Sequence, residues 1–264
     1  MVASETVTEV GLERRGHVAV VSLRRPEALN AITQAMADRL YALLGELATD
    51  RETWVVVLAA DGDRAFCAGA DLAERESMSP DELIARRASL RRMFEAVREV
   101  PQPTIAAVFG YALGGGFELA LSCDIVVAAE DATFGLPEAQ VGLVPAGGGT
   151  FLLTRAIGPA RAKELIFTGR RLDARSALDL GLVSDVVARD ALDDATMQLA
   201  ERITRSSPVA TRLAKAAIRS AQAHEEAVAI DAEEEALAEA NLSADALEGV
   251  RAFAEKRRPE WVNR

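Results

Sequence analysis

Apolar runs and helical stripes alternate along the first half of the chain. His17–Leu23 is β-branched and apolar and stops at Arg24-Arg25-Pro26, which predicts a strand. Beyond Thr33, a suitable N-cap, Met36, Leu40, Leu43, Leu44 and Leu47 recur at helical spacing. Trp54–Ala60 predicts a second buried strand, with Asp61-Gly62-Asp63 as its turn. Ser79-Pro80-Asp81-Glu82 combines a cap, an early proline and first-turn acids, so a helix should open there and end near Val100, before Pro101 and Pro103. Thr104–Phe109 and Ile125–Ala129 read as further strands, separated by the turn Gly110–Gly116 and a helix over Phe117–Ser122. This alternation predicts an α/β fold built on crossovers. From about Pro145 the pattern is almost all helical, punctuated by Gly169 and Gly181, with Val183–Val187 as a short extended piece. The last stretch carries apolar positions at helical period among many charges, as a helical region packing on itself or on a neighbouring subunit would.

Composition narrows the function. The 264 residues allow one large domain, or one with a helical appendage. A net charge of −11 argues against nucleic-acid binding, which rests on clustered positive charge, but leaves room for a phosphate-bearing small ligand. Cys67 and Cys123 are the only cysteines, which suggests free thiols in a reducing compartment. Met1–Glu5 has no targeting pattern and the apolar runs are too short to span a bilayer, so the expectation is a cytoplasmic protein with no membrane partner. The two histidines, His17 and His224, lie away from any motif, which disfavours Cys–His and Ser–His–Asp triads and a histidine metal site.

Three segments carry candidate chemistry. Leu113-Gly114-Gly115-Gly116-Phe117-Glu118 joins a strand to a helix, where backbone N–H groups gather positive potential. It is neither a dinucleotide fingerprint nor a P-loop. It is a tight structural turn or a ligand cradle. Glu118 sits in an apolar stretch, where a carboxylate is costly unless paired, proton-sharing or functional; the alternative is a solvated helix-start glutamate. Phe134-Gly135-Leu136-Pro137-Glu138 places a second glutamate where a plain capping pattern would also fit. Phe66-Cys67-Ala68-Gly69-Ala70-Asp71 offers small residues and a further N–H donor. Together, paired carboxylates can move protons in opposite directions while main-chain amides hold a developing negative charge.

These motifs resemble the enoyl-CoA hydratase (crotonase) family. The resemblance runs through Arg25-Pro26-Glu27-Ala28-Leu29-Asn30-Ala31, Ala65–Leu72, Pro103–Val108, Gly110–Ala120, Cys123-Asp124-Ile125, Phe134–Glu138, Leu143-Val144-Pro145 and the tail Ala252–Arg257. It implies a spiral of ββα units over residues 1–200 and a helical region over 201–264 used in a homotrimer or a dimer of trimers. It implies an acyl-CoA thioester substrate, with no metal and no separate cofactor. Ala70 and Gly115 match the family's oxyanion-hole positions, and Glu118 and Glu138 its catalytic glutamates. Ala28, Ala68, Ala70, Asp71, Leu72, Leu113, Gly114, Gly115, Pro137, Glu138 and Ala146 are the expected substrate-binding positions. Two departures stand out: Ala146 replaces a glycine common among the hydratases, and Ala73 a basic residue found near the CoA phosphates in some members. Retention of both glutamates favours hydration of 2-enoyl-CoA. The alternatives are an isomerase or another acyl-CoA enzyme of the family, or a non-catalytic acyl-CoA-binding protein.

Overall fold

A computed structural model describes residues 9–220 and 244–257, together with Ala238 and Leu242. The strands in chain order are β1 (Val10–Arg15), β2 (Val18–Leu23), β3 (Val55–Ala60), β4 (Ala65–Cys67), β5 (Thr104–Val108), β6 (Tyr111–Leu113), β7 (Ile125–Ala129), β8 (Thr133–Gly135), β9 (Leu172–Asp173) and β10 (Asp185–Val187). They form two sheets, one ordered β1-β2-β3-β5-β7-β10 and one ordered β4-β6-β8-β9. The β1–β2 pair is antiparallel, and β2, β3, β5, β7 and β10 then run parallel. In the smaller sheet β4, β6 and β8 are parallel and β9 is antiparallel to β8.

The chain steps between the sheets in a fixed rhythm. β3 leads to β4, β5 to β6 and β7 to β8, so each step advances one strand in both sheets. Helical segments follow each pair: α1 (Gln34–Thr49) precedes β3, α2 (Leu72–Glu76) and α3 (Pro80–Glu99) follow β4, and α4 (Gly115–Ser122) follows β6. A 3-10 turn, Glu138–Val141, follows β8, and α5 (Gly149–Ile157) and α6 (Pro159–Thr168) come next. This is the spiral of ββα units that the resemblance implies. α7 (Ala174–Asp179), α8 (Leu192–Thr204), α9 (Pro208–Ser220) and a last helix, Ala244–Ala254, complete the described chain.

Local chemistry accounts for the helix starts. The Thr33 side chain accepts from the Met36 N–H, and Ser79 and Glu82 form a reciprocal capping box ahead of Pro80. The apolar stripe of α1 (Met36, Leu40, Leu43, Leu44 and Leu47) is buried. Strands β2, β3, β5 and β7 are apolar on both faces because each face is covered, one by a core containing α1 and α3, the other by a cluster including Leu192 and Ala200 of α8. Among the described residues no helix is long and apolar enough to cross a membrane.

Candidate active site

The smaller sheet builds the first half of the site. Strands β4 and β6 are parallel neighbours, so the segments that leave them, Ala68-Gly69-Ala70 and Gly114-Gly115, emerge at the same edge. A Cβ placed on Gly115 would lie 3.5 Å from the Ala70 nitrogen, and one on Gly69 would lie 3.4 Å from the Gly115 nitrogen. The two amides are therefore adjacent. Their directions follow from peptide planarity, which sets N–H and C=O of one trans unit opposite each other. Gly69 O accepts from the Ile32 N–H (2.8 Å), so the Ala70 N–H faces away from Ile32. Gly114 O accepts from the Glu118 N–H (2.9 Å) inside α4, so the Gly115 N–H points out of the helix start. Among the described residues neither amide meets an acceptor.

The glycines make this approach possible. Gly114 has φ 53° and ψ −127°, which an L side chain rarely adopts. A Cβ on Gly116 would stand 2.0 Å from the Cys67 carbonyl oxygen, so the first turn of α4 rests directly on the end of β4.

Glu118 lies in the first turn of α4 and is 4% exposed. Its Oε1 accepts from the Gly147 N–H (2.7 Å) and the Gly149 N–H (2.9 Å), at the N-terminus of α5. Two converging amide donors suit an acceptor-only carboxylate, and they aim the side chain. The turn is itself braced: Arg98 Nη1 of α3 donates to Gly147 O (3.0 Å), and the Phe94 ring lies where a Gly147 Cβ would be.

Glu138 begins the 3-10 turn after β8, and the Gly114 N–H to Gly135 O bond (2.8 Å) ties that strand end to the glycine loop. Its Oε1 comes within 2.9 Å of where a Gly114 Cβ would be, while its Oε2 is buried with no hydrogen-bond partner among the described residues. Burial, and then the charge of Glu118, hold its carboxyl well above its ordinary value. The two glutamates thus interact while sitting in opposite environments: one fed by two donors, the other desolvated with one oxygen left without a partner among the described residues. That separation suits one group to accept a proton and the other to deliver one.

The remaining expected binding positions divide in two. Ala28, Ala68, Leu72, Leu113, Pro137 and Ala146 are partly exposed, and the Ala68 N–H to Leu29 O bond (3.0 Å) joins the first two segments. Asp71 instead has a structural job. It caps α2 through the Glu74 N–H (3.0 Å) and pairs with Arg25 Nη1 (3.0 Å). Burial alone would raise its carboxyl, but the Glu74 amide and the Arg25 guanidinium outweigh it and hold it below the usual range. Burial pushes both thiols, Cys67 and Cys123, up to about 12, so neither is a ready nucleophile. Sequence reasoning missed the two amides that orient Glu118. The available signal was Gly147-Gly148-Gly149 ahead of an apolar helix, the same kind of helix start that drew attention to Gly114–Gly116.

Residues 13–264 match the family model described as enoyl-CoA hydratase/isomerase. A short-chain-enoyl-CoA hydratase of Clostridium acetobutylicum is 38% identical over 256 residues, covering 96% of this chain and 97% of the relative. The human mitochondrial methylglutaconyl-CoA hydratase is 38% identical over 253 residues, covering 94% of this chain and 74% of its own length. Among solved structures, an enoyl-CoA hydratase from Bacillus anthracis superposes with a TM-score of 0.79 at 40% identity, covering 97% of this chain and all of that one (100%). A carnitinyl-CoA hydratase from Mycobacterium avium gives a TM-score of 0.86 at 37% identity, covering 98% and 100%. The chain belongs to the enoyl-CoA hydratase/isomerase family.

Proposed function

We propose that this chain is an enoyl-CoA hydratase, adding water across the double bond of 2-enoyl-CoA thioesters to give 3-hydroxyacyl-CoA. The observation that carries this reading is the contrast between the two glutamates beside a pair of unengaged amides. The thioester oxygen docks on the N–H groups of Ala70 and Gly115. Polarising that carbonyl draws electron density from Cβ and stabilises the enolate that forms as water adds. Glu118, steered by the Gly147 and Gly149 amides, orients the water and takes its proton as oxygen bonds to Cβ. Glu138, kept neutral by burial and by its neighbour's charge, delivers a proton to Cα, the carbonyl reforms, and proton exchange through solvent then clears Glu118 and reprotonates Glu138 for the next turnover. Neither step calls on a metal or a separate cofactor.

The partly exposed rim from Ala28 and Ala68 to Leu72 would carry the CoA moiety, and Ala146 would narrow the acyl end relative to a glycine. We also assign the C-terminal helices to self-association into a trimer or a dimer of trimers. In support, Val209 (63%), Leu213 (65%) and Ile218 (65%) stand exposed on α9, while Lys215 and Arg212 bind it to core carbonyls. The test is turnover of a panel of 2-enoyl-CoAs of increasing chain length beside 3-enoyl-CoAs. Hydration of the 2-enoyl series supports the assignment. Conversion of 3-enoyl-CoA alone would make the chain an isomerase, and tight binding without turnover would make it a binding protein.

A further inference from the structure

The buried cation beneath the Ala70 segment has no part in the chemistry so far. Arg86, on α3, is 4% exposed. Its Nε donates to Glu74 Oε2 (2.9 Å), and its Nη2 donates to two main-chain carbonyls, Asp71 O (3.1 Å) and Ile32 O (3.4 Å). Those carbonyls flank the parallel bridge between Ile32 and Ala70, whose bonds are Ile32 N–H to Gly69 O (2.8 Å) and Asp71 N–H to Ile32 O (2.9 Å). Glu74 also accepts from the Gln34 N–H (3.1 Å), fixing the start of α1 to the same cluster. A buried guanidinium is a costly staple, and an apolar residue of similar volume would often hold two segments together as well. What the charged fork adds is direction, because its planar donors fix carbonyls at set angles. Here, fixing the bridge fixes the Gly69–Ala70 peptide, and with it the way the Ala70 N–H points.

We propose that Arg86 is a positioning residue for the oxyanion donor: through Ile32 O, Asp71 O and Glu74 it locks the Ile32–Ala70 bridge so that the Ala70 N–H faces the thioester oxygen. The inference rests on the donor role given to Ala70 above, so the experiment reads carbonyl polarisation separately from turnover. The probe is 4-dimethylaminocinnamoyl-CoA, whose absorption moves to longer wavelength when its thioester carbonyl accepts strong hydrogen bonds.

Wild-type protein should red-shift the bound probe. Arg86→Met should lose at least half of that shift while binding the probe within about 3-fold, and kcat for crotonyl-CoA should fall about 10–100-fold with KM little changed. Arg86→Lys, which keeps the charge but cannot span three acceptors, should fall between the two; it decides the matter alone if Arg86→Met does not fold. Arg92→Met, on the exposed side of the same helix, should match wild type. A full red shift in a folded Arg86 variant, with or without loss of turnover, would overturn the inference. No red shift in wild type would remove the donor role of Ala70, and the inference with it.

Discussion

Glu138 illustrates how a residue proposed to carry activity can cost stability. Its carboxyl has no hydrogen-bond partner at Oε2, and burial and Glu118 raise it from its ordinary 4.5. Below that value both folded and unfolded chains hold the proton, and there is no penalty. Above it the unfolded chain ionises while the folded chain keeps its proton, so stability declines with rising pH until the folded group also titrates. Glu138→Gln removes this term. Its Tm should therefore exceed that of wild type by several degrees at pH 8 and match it near pH 4 in thermal unfolding scans. The same variant, and Glu118→Gln, should each lower kcat by orders of magnitude while acyl-CoA still binds in calorimetry. Wild-type turnover should also fall on the alkaline side as Glu138 loses its proton. Glu118 could be picked out of the sequence because a carboxylate amid apolar neighbours violates a local rule, whereas Glu138 also fits a plain capping pattern and drew attention only as its pair beside the glycine turn. Their opposite environments could not, since these depend on Gly147, Gly149 and Gly114, which reach them only through the fold.

Among the elements, α3 and the turn Pro145–Gly149 set the geometry. A Cβ on Gly149 would lie 2.8 Å from Glu118 Oε1 and 2.9 Å from Pro145 Cβ, so Gly149→Ala should push the carboxylate off its two amides. The expected result is a fall of about 10–100-fold in kcat with KM little changed, measured by steady-state kinetics. Helix α3 braces both halves of the site, with Arg86 behind Ala70 and Arg98 behind Gly147. The long elements were legible because their periodicity and caps are local. The strands β3, β5 and β7, α1 with Thr33, and α3 with its capping box all lie where the pattern places them. The short strands were not. β4, β6 and β8 span three residues each, too few to show a period. β6 falls inside the glycine-rich segment that reads as a turn, and its pairing with β4 creates the edge where the amides meet.

At the scale of the molecule, the two-sheet spiral explains why residues far apart in sequence converge. Each step along the smaller sheet brings one strand end to the same edge: β4 delivers Ala70, β6 delivers Gly115 and Glu118, and β8 delivers Glu138. That convergence was accessible from the sequence only through resemblance to a family, because nothing local encodes which strand ends are neighbours. Assembly belongs to this scale too. If the apolar face of α9 is a subunit contact, Leu213→Asp should shift the sedimentation coefficient toward that of a monomer, while an exposed charge change elsewhere should not.

If Glu118 and Glu138 divide the work across one double bond, solvent labelling reads each half of it separately. Crotonyl-CoA incubated with the protein in H2¹⁸O should give 3-hydroxybutyryl-CoA carrying ¹⁸O at C3, and in D2O should give one deuterium at C2. Both labels should be lost in Glu118→Gln and in Glu138→Gln. Full labelling in either variant, or migration of the double bond without oxygen uptake by the wild type, would rule out that division of labour.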